Sequence, residues 1–449
     1  MERRKFIRNA TAAGLALSFA PFSCAPKLDA EIIILGGGIS GLYLAHLLDE
    51  AGKDYILLEG SDRLGGRMFY REDLKRDVGG RGIGDKYTHV MSLVDKFGVD
   101  MIDITPYMNN PRSIYLGGKL YPSWEDLPTN PALLEFMGLK EVEKLGSLDA
   151  WYQRPDLDIP YHDFLKSHGK TEKELELINI SANYNDIRET SSINSYHSRA
   201  FRQFNGSKKV LNFKGGTGSL IKPLAASLTS PAQLNKMATS IEESGNSIKI
   251  GCEDGSSYTA KKAVSTLPFT TLRKLKLDLP LSPNQEKAIN GLNYTLITQI
   301  HLTAKEAYWE EDGAPMSMWT DTPLERIMDV DPDPETLDLV CWVNGKGTGF
   351  FDEMSDQEIA DFTLKQIAGM RPAAEGKIEY VGTHKWGKYR YNEGAYVEFA
   401  PGQAAWFEDM IKPAGNLHFA GEHAARKSRG MEGAAESAYR VFQELTIKS

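Results

Sequence analysis

The chain is poor in cysteine. Cys24, Cys252 and Cys341 are its three, far apart and without a C-x-x-C pair. That spacing argues against a disulfide framework and offers zinc no thiolate set. No cluster of histidine, cysteine and carboxylate has ligand spacing, so no metal is expected, and no G-x-S-x-G nucleophile elbow occurs. Positive charge is in deficit as well. Lys and Arg number 52 against 61 Asp and Glu, a formal net charge of −9. That balance argues against nucleic acid and against a polybasic membrane patch. No internal apolar run approaches the roughly 20 residues of a membrane span. Repeats and low-complexity tracts are absent too.

What remains has ordinary globular composition, 41% hydrophobic and 25% charged. A chain of 449 residues exceeds what one core usually supports, so two domains are expected. The stretch that organises them runs from Glu31 to Arg67. Ile32 to Leu35 is wholly apolar, as for a strand buried on both faces of a parallel sheet. Gly36, Gly38 and Gly41 follow, a helical pattern opens at Ser40, and a second apolar run, Tyr55 to Leu58, ends on Glu59. Strand, G-x-G-x-x-G, helix, strand and acid make a dinucleotide-binding unit. Gly36 permits the tight turn, Gly38 the approach to a pyrophosphate and Gly41 close helix–strand packing. The helix N-terminus faces the anion, and Glu59 is placed for ribose hydroxyls.

Leu64-Gly65-Gly66-Arg67 follows where a nicotinamide enzyme has no reason for a second glycine pair and an arginine. E-x-x-x-x-x-GGR resembles the flavin-dependent amine oxidase family of monoamine, polyamine and L-amino acid oxidases. In that family Gly66 and Arg67 lie against the FAD pyrophosphate, and a guanidinium suits phosphate. The resemblance continues along the chain. Gly79 and Gly80 match a flavin-lining turn. Arg81, next to them, would bind a substrate carboxylate or make a phosphate or surface contact. Phe213 to Leu220 matches a G-G turn leading into a helix. Ala238 matches a strand position at the adenine, in a hairpin of Leu234 to Ile241 and Ser247 to Ile250 around Gly245-Asn246. Ala263 to Pro268 matches a strand ending in proline.

Thr298 to Gly313 resembles the L-amino acid oxidase branch, with one departure. The family's lysine, which holds a water at flavin N5, falls on Gln299. In His384 to Gly402, Ala395 stands where monoamine oxidases carry the flavin-bonding cysteine, so the resemblance implies noncovalent FAD. Tyr396 matches one aromatic wall of the amine cage, or is a core aromatic; Tyr391 in the same segment is a further substrate-contact candidate. Leu417 to Glu422 and Gly430 to Ala438 match the closing FAD motif, with Gly421, Glu422 and Met431 at the cofactor. Gly430 replaces the second cage aromatic, and Arg426 or Arg429 beside it would favour an acidic substrate. His423 is the general-base candidate, or else a structural histidine; His301 and His384 also lie near the proposed site.

The N-terminus is a different material. Arg3-Arg4, then Phe6-Ile7 and a mildly apolar Ala10 to Phe22, resemble a twin-arginine export signal, the alternative being a tail. Cys24 is a candidate lipid-attachment site, although Pro21 stands where a lipoprotein signal normally has leucine.

The expected fold class is therefore α/β: a Rossmann-like FAD-binding domain with a discontinuous α+β substrate domain, of the glutathione reductase/amine oxidase type. Residues 1–29 form the signal; 30–90, 208–285 and 405–449 form the FAD domain; 91–207 and 286–404 form the substrate domain. Helices are expected at Pro131 to Lys144, Tyr161 to His168 and Thr171 to Ile180. The implied activity oxidises a C–N bond of an amine or L-amino acid, with O2 or another acceptor, in an exported envelope or periplasmic protein. The alternatives are a dehydrogenase or desaturase of the same fold, and a flavin-binding subunit without turnover. Substrate identity and oligomeric state stay open.

Overall fold

The computed structural model describes residues 27–108, 110–127, 148–329 and 337–446. Strand β1 (Ala30–Leu35) is parallel to both of its neighbours, with Ile34 opposite Leu57 and Val264. Both edges and both faces are covered, which is why its sequence is an unbroken apolar run. The sheet around it has the order Lys276–Asp278, Ala238–Ser244, Ser247–Cys252, Ser257–Ser265, β1 and β2 (Tyr55–Leu58). Leu417–Phe419 joins as a branch. The strand Ser257–Ser265 pairs antiparallel through Ala260 with Ile248, then parallel through Ala263 with Leu417. Strands from three separated stretches of chain thus end side by side.

Helix α1 (Ile39–Glu50) follows β1 and packs against the terminal helix Gly430–Thr446. Ala434, Ala435 and Ala438 are buried there, small enough to let the two axes approach. Gly41 is required by the same closeness: a Cβ on it would lie 1.9 Å from the Gly36 carbonyl oxygen. The helix His89–Phe97 buries Val90, Leu93 and Val94 in this layer. The layer therefore runs past residue 90, through the middle of that helix.

A second, seven-stranded sheet has the order Ile378–Lys385, Ile297–Ala304, Asp338–Asn344, Arg326–Asp329, Met318–Thr320, Ser113–Leu116 and Lys119–Tyr121. The helix Asp356–Met370, opened by a Ser355/Glu358 capping box, covers it. The edge hairpin Ser113–Tyr121 is absent from the sequence reading. Its signal was the Gly117-Gly118 pair, both with positive φ (59° and 80°), as a two-residue hairpin turn demands.

Helices form at Tyr161–Ser167 and at Glu172–Ser181, the latter with a Thr171/Glu174 capping box. Pro131 to Lys144 lies outside the described residues. The strand expected from Leu234 begins at Ala238 instead. Asn235 turns with φ 56°, and the chain before it follows the end of β2, Glu59 N–H donating to the Gln233 carbonyl at 2.9 Å. Among the described residues no helix is long and apolar enough to cross a membrane.

Candidate active site

A cavity of about 370 Å³ opens where β1, β2, Ser257–Ser265 and Leu417–Phe419 end. It continues to the face of the second sheet. Carboxyl ends of parallel strands are where such sheets bind ligands, because the chain there splays into loops and helix N-termini. At the α1 end, Gly36 has φ 104°, and a Cβ on it would lie 2.5 Å from the Thr266 hydroxyl. A Cβ on Gly66 would approach the Gly38 Cα to 3.1 Å. The two glycine loops are in backbone contact across the cavity floor. Glu59 lines the cavity with its carboxylate fixed: Gly37 N–H donates at 2.6 Å, Ser61 N–H at 2.8 Å and the Ser61 hydroxyl at 2.7 Å. Lys236 N–H donates to the Glu59 carbonyl at 2.8 Å, which carries Ala238 into the lining beside it.

In the middle, Arg67 Nη1 donates to the Ala395 carbonyl at 2.7 Å and lies 3.4 Å from Glu422 Oε2. That oxygen also accepts the Val397 N–H at 3.1 Å. A Cβ on Gly79 would fall 1.9 Å from the Arg67 carbonyl oxygen, and one on Gly80 3.6 Å from the Met431 side chain. Gly421 turns with φ 116°, and its N–H donates to the Ser437 hydroxyl at 2.8 Å.

The far end is built on the second sheet. Gln299 lines the cavity, 3% exposed, directly across the ladder from Trp342. Its Oε1 lies 3.3 Å from His301 Nε2. Tyr396 forms a second wall, its hydroxyl donating to the Asn183 carbonyl at 2.8 Å. Gly430 is a third. Its φ is 57°, and a Cβ there would meet nothing within 4 Å, so the wall is open where the expected aromatic is missing.

This union of a dinucleotide cradle with a sheet-backed chamber has counterparts among known proteins. The family described as flavin containing amine oxidoreductase matches residues 39–446. The chain belongs to that family. A putative L-amino-acid oxidase of Bacillus subtilis is 24% identical, over 92% of this chain and 94% of its own. Flavin-containing amine oxidase A of Equus caballus is 24% identical over 92% and 84%. Two solved structures share the fold. Putrescine oxidase bound to putrescine covers 93% of this chain and 98% of its own, with a TM-score of 0.73 and 19% identity. Cyclohexylamine oxidase from Brevibacterium oxydans covers 93% and 100%, with a TM-score of 0.75 and 18% identity.

As a member of the flavin-containing amine oxidoreductases, the protein is an FAD-dependent enzyme that oxidises a C–N bond. Its residues fit that cofactor. The N-terminus of α1 has no side-chain cap, and the Ser40 hydroxyl beside it is buried without a partner. Orphan donors at a helix N-terminus suit a pyrophosphate. Gly36, Gly38, Gly66 and Gly80, all in the lining, would allow its backbone approach, and Glu59 would be the ribose acceptor.

Several expected site residues lie elsewhere. His423 does not line the cavity. The turn at Gly421 directs Glu422 inward and His423 into the core, where its ring centroid lies 4.4 Å from that of Phe269. Burial, with the charges of Arg67 and Arg440, pushes its pKa down to about 3. It is neutral and buried, and serves as no general base. His301 and His384 are likewise pushed down to about 3, first by burial.

Arg81 is also absent from the lining; its charge falls on Asp77 and His301 instead. Tyr391 lies in the cavity but at the Glu59 end. The Arg390 guanidinium covers its ring at 5.3 Å and reaches Glu253 at 3.2 Å, so Tyr391 faces the nucleotide side rather than Gln299. Arg426 is taken by Glu408, at 2.9 and 3.1 Å.

Sequence reasoning missed Ser40, Thr266, Trp342 and Trp386, all in the lining. Ser40 sits inside the glycine motif and was legible as a helix N-terminal hydroxyl. Trp342 stands in an apolar strand and carries no signal until the sheet is paired.

Proposed function

We propose that the protein is an exported oxidoreductase that binds FAD noncovalently and oxidises a small amine or amino acid, with slow direct use of O2. The observation that carries the reading is Gln299, held under Tyr396 and the open Gly430 wall in the cavity that also holds Glu59 and Arg67. The bound cofactor supplies the two-electron acceptor for hydride leaving the carbon next to nitrogen. Everything else falls to the chain. Glu59 would accept hydrogen bonds from the ribose hydroxyls, while Arg67 and the α1 N-terminus would hold the pyrophosphate. Tyr396 and Trp342 give flat walls that orient the substrate. No ionisable base faces the chamber from His423, so the amine enters neutral, having left its proton in solvent. Water hydrolyses the resulting imine to a carbonyl compound and ammonia or an amine.

Gln299 orients a water by hydrogen bonding but adds no positive charge. Oxygen reduction needs stabilisation of developing negative charge, so an acceptor other than O2 is favoured. Ala395 lines the cavity where a flavin-bonding cysteine would stand, and Cys252 and Cys341 are outside the lining. Acid precipitation should therefore release the flavin intact. The domain division, the twin-arginine export and lipid attachment at Cys24 belong to the same proposal. The deciding experiment is anaerobic bleaching of flavin absorbance with amines and L-amino acids, then admission of air. Bleaching followed by slow recovery agrees with the reading. Fast recovery overturns the role given to Gln299, and no bleaching overturns the substrate class.

A further inference from the structure

Gln299 lines the cavity with a side chain that has two unlike ends. Its amide oxygen accepts hydrogen bonds, its amide nitrogen donates them, and the two are nearly equal in size. Left alone, the group would turn either end to the cavity at similar energy. Its neighbours across the ladder, Trp342 and His384, do not choose between them. The Trp342 indole N–H is committed to the Asn344 side chain at 3.0 Å. The His384 ring packs edge-on against Phe69 and Trp386.

His301 breaks the tie. It lies two residues along the same strand, hence on the same face, and is 1% exposed. Its partner across the ladder is Gly382, where a Cβ would meet the Leu74 side chain at 2.5 Å. The hairpin of Tyr70–Arg71 and Arg76–Asp77, whose turn carries Leu74, is clamped over both strands. Arg71 donates to the Thr383 carbonyl and Arg76 to the Leu302 carbonyl, each at 2.9 Å. Beneath it the ring is neutral, because burial and the charges of Arg76, Arg81 and Arg71 disfavour a second proton. A neutral imidazole has a single N–H. Nε2 lies 3.3 Å from Gln299 Oε1, while Nδ1 is buried without a partner. An amide oxygen only accepts, so the proton belongs on Nε2. A proton on Nδ1 would be a buried donor without an acceptor, set among positive charges.

We propose that His301 is a positioning residue: its Nε2–H holds the Gln299 oxygen, so that the amide nitrogen donates into the cavity and presents a fixed neutral donor to the bound flavin. The inference rests on Gln299 facing that cofactor, as proposed above. Reduction adds negative charge to a flavin, and a fixed donor beside it favours the charged form. His301 thereby raises the reduction potential of the cofactor without touching it.

The test uses FAD-loaded, full-length enzyme and light-driven reduction with EDTA, which needs no amine. The midpoint potential of the bound flavin is measured against a reference dye in wild type, His301→Phe, His301→Gln, Gln299→Leu and the double variant. His301→Phe keeps a ring but loses the donor. It should shift the equilibrium toward oxidised flavin roughly tenfold, about 30 mV for a two-electron couple. His301→Gln carries an N–H near the Nε2 position and should recover most of the loss. In the Gln299→Leu background, His301→Phe should shift the equilibrium by less than about twofold, because the amide through which it acts is gone. A shift as large there as in wild type, or none in wild type, overturns the proposal and leaves the placement of Gln299 standing. No shift from Gln299→Leu itself overturns that placement, and this proposal with it.

A second measurement needs no substitution at His301. Protein isotopically labelled in the histidine nitrogens is observed at neutral pH by long-range proton–nitrogen correlation. The ring whose signals move in Gln299→Leu identifies His301. A protonated Nε2 beside a bare Nδ1 is expected. A proton on Nδ1 would turn the Gln299 nitrogen to the ring and its oxygen to the cavity, and overturns the proposal, as does the lack of any ring that responds.

Discussion

Arg67 shows how much one side chain holds together. Its guanidinium ties the Gly65-Gly66 loop to the Ala395 carbonyl and to Glu422, contacts between stretches more than 300 residues apart. With the pyrophosphate contact proposed for it, Arg67→Ala should cost about 1.5–3 kcal/mol, or roughly 10- to 100-fold in FAD affinity. The ratio of flavin to protein absorbance after gel filtration reads this directly, and full retention would place the phosphate contact elsewhere. At Gln299 the opposite change is informative. Gln299→Lys puts a positive charge where oxygen reduction develops negative charge, and should speed reoxidation by air roughly tenfold or more. An unchanged stopped-flow rate would show that the amide already does what a lysine does.

Among the elements, the helix His89–Phe97 depends on a residue far away in sequence. Thr88 offers it no side-chain cap; the Glu432 carboxylate instead accepts the N–H groups of Thr88, His89 and Val90 at 2.7, 2.9 and 2.9 Å. The acid of the M-E-G motif thus holds a neighbouring helix, while Gly430, Met431 and Ala434 of the same turn face the cavity. Glu432→Ala should cost about 2–3 kcal/mol, because it strips three charge-assisted bonds from a partly buried helix end. Urea unfolding of the holoenzyme measures the loss; a change below about 0.5 kcal/mol would mean that water replaces the cap. The sequence pattern placed Glu432 at the start of the terminal helix, as found, but could not show its partner. The helix it caps begins more than 340 residues earlier.

For the whole molecule, one cavity joins two sheets, so cofactor and fold are thermodynamically linked. Removing FAD should lower the Tm, and FAD at about 100 times its Kd should restore about 2.7 kcal/mol. Differential scanning fluorimetry with and without added FAD reads the shift. Acid should destabilise the protein for a separate reason. His197, His301, His384 and His423 are each pushed down to about 3, first by burial. In the unfolded chain they take protons near their ordinary value of about 6.5. The unfolded state therefore binds more protons between about pH 6.5 and pH 3, and stability is lost across that window as pH falls. Each histidine adds a slope of up to about 1.4 kcal/mol per pH unit. Glu325, raised to about 7, takes its proton in the folded state and opposes part of the slope. His423→Phe should flatten the dependence of the urea midpoint on pH; an unaltered slope would assign it to other groups.

The sequence by itself determined the dinucleotide cradle. The G-x-G-x-x-G turn, Glu59, the GGR loop and the closing F-A-G-E and M-E-G segments act through backbone approach and a few charges. Those demands leave glycines and acids at fixed spacing. It also determined the family, and with it a flavin and C–N oxidation. Tertiary structure alone decided which side chains meet at the chamber. His423 stands beside Glu422 in sequence but packs on Phe269, because a turn at Gly421 sends adjacent side chains to opposite sides. Tyr391 and Tyr396, five residues apart, face opposite ends of one cavity. Arg426 and Arg429 are equivalent as letters, yet the first pairs with Glu408 and the second donates to the Asn194 carbonyl. Backbone-driven sites are written in spacing. Side-chain chambers depend on pairing between distant strands, which spacing does not record.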